Sequence, residues 1–169
     1  MALQDDGQLL TAYYTTEGYG FRIVRLNTNG TLDATFACTN LFNGLNVVLL
    51  PQPGGSLLLG GNGCGYHDST NYTLFRLKPD GQVDAGFDSG LEFCSAFSLV
   101  RQTNGQILVG GFLRRRGASN SVPLLRLNRD LTWDETFHPD AFFPASDPVV
   151  PAYVCPLVLQ PDGKFVAGG

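Results

Sequence analysis

Short runs of apolar residues, separated by turns that contain glycine, follow one another along the chain. Segments 56–59 (Ser-Leu-Leu-Leu) and 106–109 (Gln-Ile-Leu-Val) each contain three consecutive apolar residues, not alternating apolar and polar ones. Because successive side chains of a strand point to opposite faces, such runs predict sheets that are covered on both faces. Polar residues gather beside the glycines, as is typical of tight turns. The pattern predicts an all-β protein of short strands.

A six-residue pattern that begins with glutamine and has glycine three positions later occurs four times. Its copies begin at Gln4, Gln52, Gln102 and Gln160, and their glycines, Gly7, Gly55, Gly105 and Gly163, are spaced 48, 50 and 58 residues apart. The fourth copy, Gln-Pro-Asp-Gly-Lys-Phe, is typical of a type I turn followed by a left-handed glycine. Each copy therefore predicts a β-hairpin, the first of its repeat.

A second pattern lies between the copies of the first and begins with Arg-Leu, followed by a turn and then by aspartate and phenylalanine. In the second copy, a three-residue loop sets Leu77 opposite Val83 and Arg76 opposite Asp84. The register predicts an ion pair across each second hairpin. The three pairs are Arg25 with Asp33, Arg76 with Asp84, and Arg126 with Asp134, and the phenylalanines that follow are Phe36, Phe87 and Phe137.

The third copy of this pattern has Leu131 where the other two have glycine. Keeping the left-handed geometry there costs about 1 kcal/mol for a residue with a side chain. We therefore expect a changed or wider turn at Leu131.

Two hairpins in each repeat make a four-stranded unit with an average period of about 52 residues. Stacking such units around an axis covers both sheet faces, so we predict β-propeller blades, with a two-sheet sandwich as the alternative. We expect one repeat array over residues 1–169. Its parts are repeat 1 at about 1–45, repeat 2 at about 46–95, repeat 3 at about 96–152 and a partial repeat 4 at about 153–169.

These residues resemble the delta-60 repeat family, a bacterial β-propeller repeat of undefined function. Its pattern, roughly Q-P-D-G-K-[IL]-x-x-G-G and then R-L-N-x-D-G-x-x-D-x-x-F, is almost complete in residues 160–169 and 76–87. The chain departs from it at Asp5, Asp6, Gly54 and Leu131 and in the longer loop 112–122. The resemblance covers essentially the whole chain. It implies a propeller in a bacterial secreted or cell-surface protein and no catalytic residue; the chain itself carries no signal peptide pattern.

Both ends of the chain carry the first hairpin of the repeat, so they are not complementary halves of one blade. Three repeats and a quarter also fall below the four to eight blades of known propellers. We expect an incomplete propeller, completed by missing blades of a longer chain or by self-association through its open edges.

Composition and charge exclude several classes of protein. Only 15% of residues are charged, with two lysines and three glutamates, which leaves too few polar residues for solvated amphipathic helices. The net charge of −4 disfavours nucleic-acid binding. The apolar runs are far shorter than the roughly 20 residues of a membrane helix, so no membrane span is expected.

Most residues that could form a catalytic or binding site also have a structural interpretation. The glycine-rich residues 61–65 do not open a helix, so we interpret Gly60-Gly61, Gly110-Gly111 and Gly168-Gly169 as tight turns and close blade contacts and not as a phosphate site. The repeated aspartates are interpreted as cross-strand partners, because ion pairing lowers the pKa that a general acid needs. His67 and His138 are expected in exposed loops. No catalytic residue, metal site or cofactor is predicted.

The four cysteines are Cys38, Cys64, Cys94 and Cys155, and they lack the spacing of a zinc site. The sequence leaves two alternatives for them, disulfides between neighbouring loops or buried free thiols.

Arg114, Arg115 and Arg116 form the single basic cluster of the sequence, in the longer loop of repeat 3. A solvated loop tip is the structural interpretation. The functional hypothesis is contact with an acidic glycan or an acidic protein, since arginine can bind a carboxylate through two hydrogen bonds. Several aromatic residues could add a surface for sugar stacking, with Trp133 and the repeated phenylalanines expected in the core. These aromatic candidates are Tyr66, Tyr72, Trp133, Phe142 and Phe143.

The sequence thus predicts a non-catalytic scaffold that binds an unknown protein or glycan. The alternatives are a propeller-type glycan hydrolase or lyase, which requires an acid of raised pKa, and a spacer without a ligand.

Overall fold

A computed structural model of the protein describes residues 1–15, 20–38, 42–43, 46–61, 65–66, 74–139 and 153–169. Within these ranges the chain is nearly all β, in small antiparallel sheets, as the apolar pattern predicts. The only helical element with named bounds among these residues is the 3-10 turn Pro53–Gly55.

Repeat 1 forms a meander in which each strand pairs with the next. It consists of β1 (Ala2–Leu3), β2 (Leu9–Tyr14) and β3 (Gly20–Leu26). Two short strands, β4 (Phe42–Asn43) and β7 (Gly65–Tyr66), extend this sheet to the order β1-β2-β3-β4-β7. The extension was not predicted, since nothing in either two-residue strand marks its partner.

Repeats 2 and 3 form sheets of three strands, and the fourth hairpin a sheet of two. Repeat 2 contains β5 (Val48–Pro51), β6 (Leu57–Gly60) and β8 (Phe75–Leu77). Repeat 3 contains β9 (Leu91–Arg101), β10 (Ile107–Arg115) and β11 (Val122–Leu127), and the fourth hairpin contains β12 (Leu157–Leu159) and β13 (Phe165–Ala167).

The fourth strand of each repeat is reduced to one bridging residue. The bridges are Leu26 to Leu32, Leu77 to Val83 and Leu127 to Trp133. The second of these has the predicted register, since Leu77 faces Val83 and the amide of Asp84 donates to the carbonyl of Arg76 at 2.8 Å.

The first turns share one hydrogen-bond pattern. In each, the glutamine amide donates across the turn, and the glycine amide donates back to the glutamine carbonyl. The glycine φ values are 85° at Gly7, 83° at Gly55, 87° at Gly105 and 84° at Gly163, which confirms the left-handed position. In repeat 2, Gly54 has φ 79° and ψ 10°, so a type II turn replaces the predicted type I turn.

The expectation of a changed turn at Leu131 is wrong. Leu131 keeps φ 69°, and its amide donates to the carbonyl of Asn128 at 2.9 Å, as Gly81 does to Lys78. Its side chain is buried in an apolar cluster with Leu127. Burying a leucine contributes about 1.5–3 kcal/mol, more than the roughly 1 kcal/mol of left-handed strain.

The core lies at the junctions between consecutive repeats. Leu10 and Phe21 of repeat 1 pack in one cluster with Leu57 of repeat 2. Leu58 packs with residues of repeat 3 such as Ile107. Leu108 packs with Leu157 of the fourth hairpin and with Val154, which lies just before that hairpin. Both sheet faces of repeats 2 and 3 are therefore covered, as their continuously apolar strands require.

Each glycine pair lies where backbones approach closely, but the backbone approach is between blades only at Gly110 and is within one sheet at Gly61 and Gly111, so a backbone contact between blades is confirmed at Gly110 alone. A Cβ on Gly61 would lie 1.9 Å from the carbonyl oxygen of Asn46, and one on Gly111 would lie 2.0 Å from that of Ser95. A Cβ on Gly110 would lie 3.0 Å from the carbonyl oxygen of Val154. Gly60 lies in β6 and Gly110 and Gly111 lie in β10, and no turn is assigned at the other paired glycines, so the turn part of the interpretation is wrong.

Candidate functional site

The predicted cross-strand ion pairs are present in all three repeats. Nε of Arg126 donates to Oδ2 of Asp134 at 2.7 Å, and the guanidinium carbon lies 4.7 Å from the centre of the Phe137 ring. The arginine is thus held by a carboxylate and by an aromatic face. The equivalent N–O distances are 2.8 Å for Arg25 with Asp33 and 2.7 Å for Arg76 with Asp84, and the ring contacts are 4.9 Å to Phe36 and 5.0 Å to Phe87.

Local turns hold the aspartates in their charged form. The hydroxyl and the amide of Thr136 both donate to Oδ1 of Asp134, at 2.6 and 2.9 Å. These bonds, more than the contact with Arg126, lower the pKa of Asp134, and Thr35 does the same for Asp33. In Asp84 the hydrogen bond from Arg76 is the main cause of the lowered pKa. The predicted direction is confirmed, but threonine is the chief cause in two repeats.

In repeat 1 and in repeat 3, a glutamine that was not predicted from the sequence connects the first hairpin to the second hairpin of the same repeat. Nε2 of Gln106 donates to Oδ2 of Asp134 at 2.8 Å, and Nε2 of Gln8 donates to Oδ2 of Asp33 at 3.0 Å. The sequence signal for this role was the position of the glutamine, which directly follows the glycine of the first turn in both repeats. Repeat 2 has Ser56 in that place.

Acid should destabilise the fold through these aspartates. Because folding lowers their pKa below the unfolded value of about 3.9, their stabilisation is complete above about pH 5 and is lost as pH falls from 4 toward 2. We expect urea midpoints to fall over this window in the wild type. The acid-induced fall should be smaller in Asp84→Asn, which lacks one of the titrating groups. Equal slopes for both proteins between pH 5 and pH 2 would contradict the assignment.

A cleft of about 430 Å³ lies at the junction of repeats 2 and 3. Its wall combines charged groups with two aromatic residues, Phe87 and Trp133. These residues include Arg76, Asp88, Arg115, Trp133 and Glu135. The cleft therefore brings together one of the three predicted arginines and one of the predicted sugar-stacking aromatics.

Arg115 is held against the cleft wall. Its guanidinium carbon lies 5.1 Å from the centre of the Trp133 ring, and its Nη1 lies 2.6 Å from Oε1 of Glu135. The indole Nε1 of Trp133 donates to the carbonyl of Ser89 at 3.1 Å, which fixes the ring. Trp133 is half-buried: it packs on the core cluster as expected and also lines the cleft.

The other two arginines of the cluster are each paired with an acid. Arg116 donates through both terminal nitrogens to Asp88, at 2.8 and 2.9 Å, which lowers the pKa of Asp88 and raises that of Arg116. Nη2 of Arg114 lies 3.3 Å from Oε1 of Glu92. The cluster is therefore a row of ion pairs and not a patch of uncompensated positive charge.

The remaining candidates lie apart from the cleft or outside the described residues. Cys38 is buried in the core between repeats 1 and 2, and Cys155 has an exposed free thiol. His138 is exposed, as predicted. Some candidate residues lie outside the described residues: His67, Cys64, Tyr72, Phe142 and Phe143, together with the side chains of Tyr66 and Cys94.

The described residues hold neither a candidate metal site nor a candidate membrane helix. They contain no cluster of three or more histidine, cysteine or acidic side chains arranged to hold a metal ion. No helix in the ranges that the structure describes has the length and apolar character to cross a membrane.

Repeated double hairpins with cores at their junctions define a β-propeller repeat protein. Residues 4–36, 52–87 and 102–137 match the model of the beta-propeller domain of unknown function DUF5122, and together they make up well over half of the chain. The chain belongs to this family. Each matched unit begins at the glutamine of the first turn and ends at the phenylalanine of the second pattern. No curated protein and no solved structure shows significant similarity to the chain.

Proposed function

We propose that the chain is a non-catalytic propeller scaffold that binds a carboxylate-bearing glycan in the cleft beside Trp133. The setting that its likeness to delta-60 repeats implies is a bacterial secreted or cell-surface protein. The observation that carries the proposal is the position of Arg115, whose guanidinium lies over the fixed indole ring and contacts the exposed carboxylate of Glu135.

Glu135 marks the place of the ligand's carboxylate. Both side chains of its pair with Arg115 are about half exposed or more, and such pairs contribute only about 0–1 kcal/mol. A ligand carboxylate can therefore displace Glu135 from Arg115 at a small energetic cost. Arg116 is a poorer candidate because both of its terminal nitrogens already bind Asp88.

The acids favour binding over hydrolysis. Every described acid whose pKa is displaced has a lowered pKa, whereas the general acid of a glycosidase needs a raised one. These residues are Asp33, Asp84, Asp88, Asp130, Asp134 and Asp162.

Calorimetric titration with oligogalacturonate tests the proposal, with a neutral galactose oligomer as the reference ligand. We expect Arg115→Ala to weaken binding of the acidic oligomer about tenfold or more, and Glu135→Gln to strengthen it by removing the competing carboxylate. Arg101→Ala is the matched control, since Arg101 lies outside the cleft. Equal binding of the two oligomers, or weaker binding by Glu135→Gln, would contradict the proposal, and binding of poly-glutamate alone would indicate a protein ligand.

A further inference from the structure

The second turn of a repeat meets the end of the repeat before it, and between repeats 1 and 2 amide groups close this contact. The amide of Ala37 donates to the carbonyl of Asp80 at 2.8 Å, and the side-chain amide of Gln82 donates to the carbonyl of Ala37 at 2.7 Å. Nη1 of Arg25 donates to the carbonyl of Pro79 at 3.0 Å. Backbone and side-chain amides of repeat 2 therefore bind repeat 1 directly.

The same place is open between repeats 2 and 3, where it forms the cleft. Arg76, Asp88 and Asp130 take the positions of Arg25, Ala37 and Asp80, and all three line the cleft. Within the described residues, no hydrogen bond reaches the amide or carbonyl of Asp88 or the carbonyl of Asp130, and Arg76 donates to no carbonyl. The side chain of Arg76 is 33% exposed, against 10% for Arg25. The groups that bind amides in the first junction thus face the cleft in the second.

The side chain of Leu131 accounts for this difference between the junctions. A Cβ on the equivalent Gly81 would lie 2.9 Å from the amide nitrogen of Cys38, so the first junction has no room for a side chain there. Leu131 keeps the left-handed backbone of Gly81 but carries a buried leucine side chain. Trp133 also replaces the smaller Val83. The turn of repeat 3 therefore stands farther from the end of repeat 2, and the cleft is the resulting gap.

We propose, resting on the glycan site proposed above, that the ligand carries an amide beside its carboxylate, such as the acetamido group of a sugar. Its carbonyl accepts a hydrogen bond from Arg76, and its N–H donates to the carbonyl of Asp88, which copies the contacts of the first junction. Thr132, in place of Gln82, does not supply the second contact, because its hydroxyl donates to Asp130 within its own turn at 2.6 Å. The cleft volume of about 430 Å³ is that of a small-molecule site.

Calorimetric titration with four oligomers of equal length and linkage tests this proposal. They are oligomers of galactose, of galacturonate and of the 2-acetamido-2-deoxy derivative of each. We expect the acetamido form of the galacturonate oligomer to bind about tenfold more tightly than the plain form, since its amide adds a hydrogen bond to a charged donor.

The variant Arg76→Lys should lose most of this preference, because lysine keeps a charge beside Asp84 but has a single nitrogen to donate from. Arg126→Lys is the matched control. Arg126 has the same pairing with Asp134 and the same ring contact, but it lies outside the cleft, so its variant should keep the preference. The comparison of oligomers in the wild type decides the question even if Arg76→Lys does not fold.

The two proposals fail in different ways. Equal binding of the galacturonate oligomers with and without the acetamido group, or an unchanged preference in a folded Arg76→Lys, would overturn the amide contact and leave the carboxylate site standing. Equal binding of the acetamido oligomers with and without the carboxylate would instead overturn the proposed function. Absence of binding by all four oligomers would overturn both.

Discussion

Gly111→Ala should destabilise the protein by about 3 kcal/mol or more, at the upper end of the range for overpacked cores. An added Cβ would lie 2.0 Å from the carbonyl oxygen of Ser95 and 3.1 Å from Cα of Ala96, both on the backbone of the paired strand β9. Real Cβ atoms do not approach so closely, and a backbone cannot rotate away as a side chain can. The two strands must therefore separate where Gly111 pairs with Ala96. Urea unfolding followed by circular dichroism measures the loss.

Gly86→Ala is the matched control for this substitution. Gly86 has no positive φ, and its added Cβ would meet only Oδ1 of Asp84, at 3.5 Å, an ordinary contact. We expect its free energy of unfolding to change by about 0.5 kcal/mol or less. A loss as large as that of Gly111→Ala would show that the close strand approach is not the cause.

Leu58→Ala should lower the free energy of unfolding by about 2–5 kcal/mol, because it opens a cavity between repeats 2 and 3. Leu58 is fully buried among residues of both repeats, including Leu74 of repeat 2 and Ile107 of repeat 3. Chemical denaturation below the concentration of any self-association measures the effect on the isolated chain.

Leu32→Ala removes the same atoms from an exposed leucine and serves as the reference. Under the same dilute conditions it should change the free energy of unfolding by about 0.5 kcal/mol or less. Comparable losses in the two variants would mean that the junction between repeats 2 and 3 is no better packed than the surface.

The sequence predicts the hairpins and their ion pairs because these depend on local chain geometry. A three-residue loop with a left-handed glycine fixes the register, and the register alone places Arg76 opposite Asp84. The repeat period then extends the result to Arg25 and Arg126. Phe137 packs against the core cluster of Leu108, as expected for the repeated phenylalanines. Its additional contact with Arg126 follows the D-x-x-F spacing but requires coordinates to be seen.

The cleft depends on contacts that local geometry does not specify. Arg116 meets Asp88 across 28 positions of sequence, and Arg115 meets Glu135 from a different hairpin. Leu131 escaped prediction for a related reason: its backbone strain is local, but the burial that compensates for it comes from a tertiary cluster shared by repeats 2 and 3. Local rules therefore give the blades, and tertiary packing gives the cleft.

The location of the apolar clusters at the junctions has a consequence for folding. Leu58 and Leu108 are buried by residues of the following repeat, so no repeat holds a complete core of its own. In such an array the cooperative unit is a pair of neighbours, and stability is carried by nearest-neighbour coupling. A single excised blade should therefore behave as an unfolded peptide, whereas damage at one junction should uncouple the array there and leave the junctions beyond it intact.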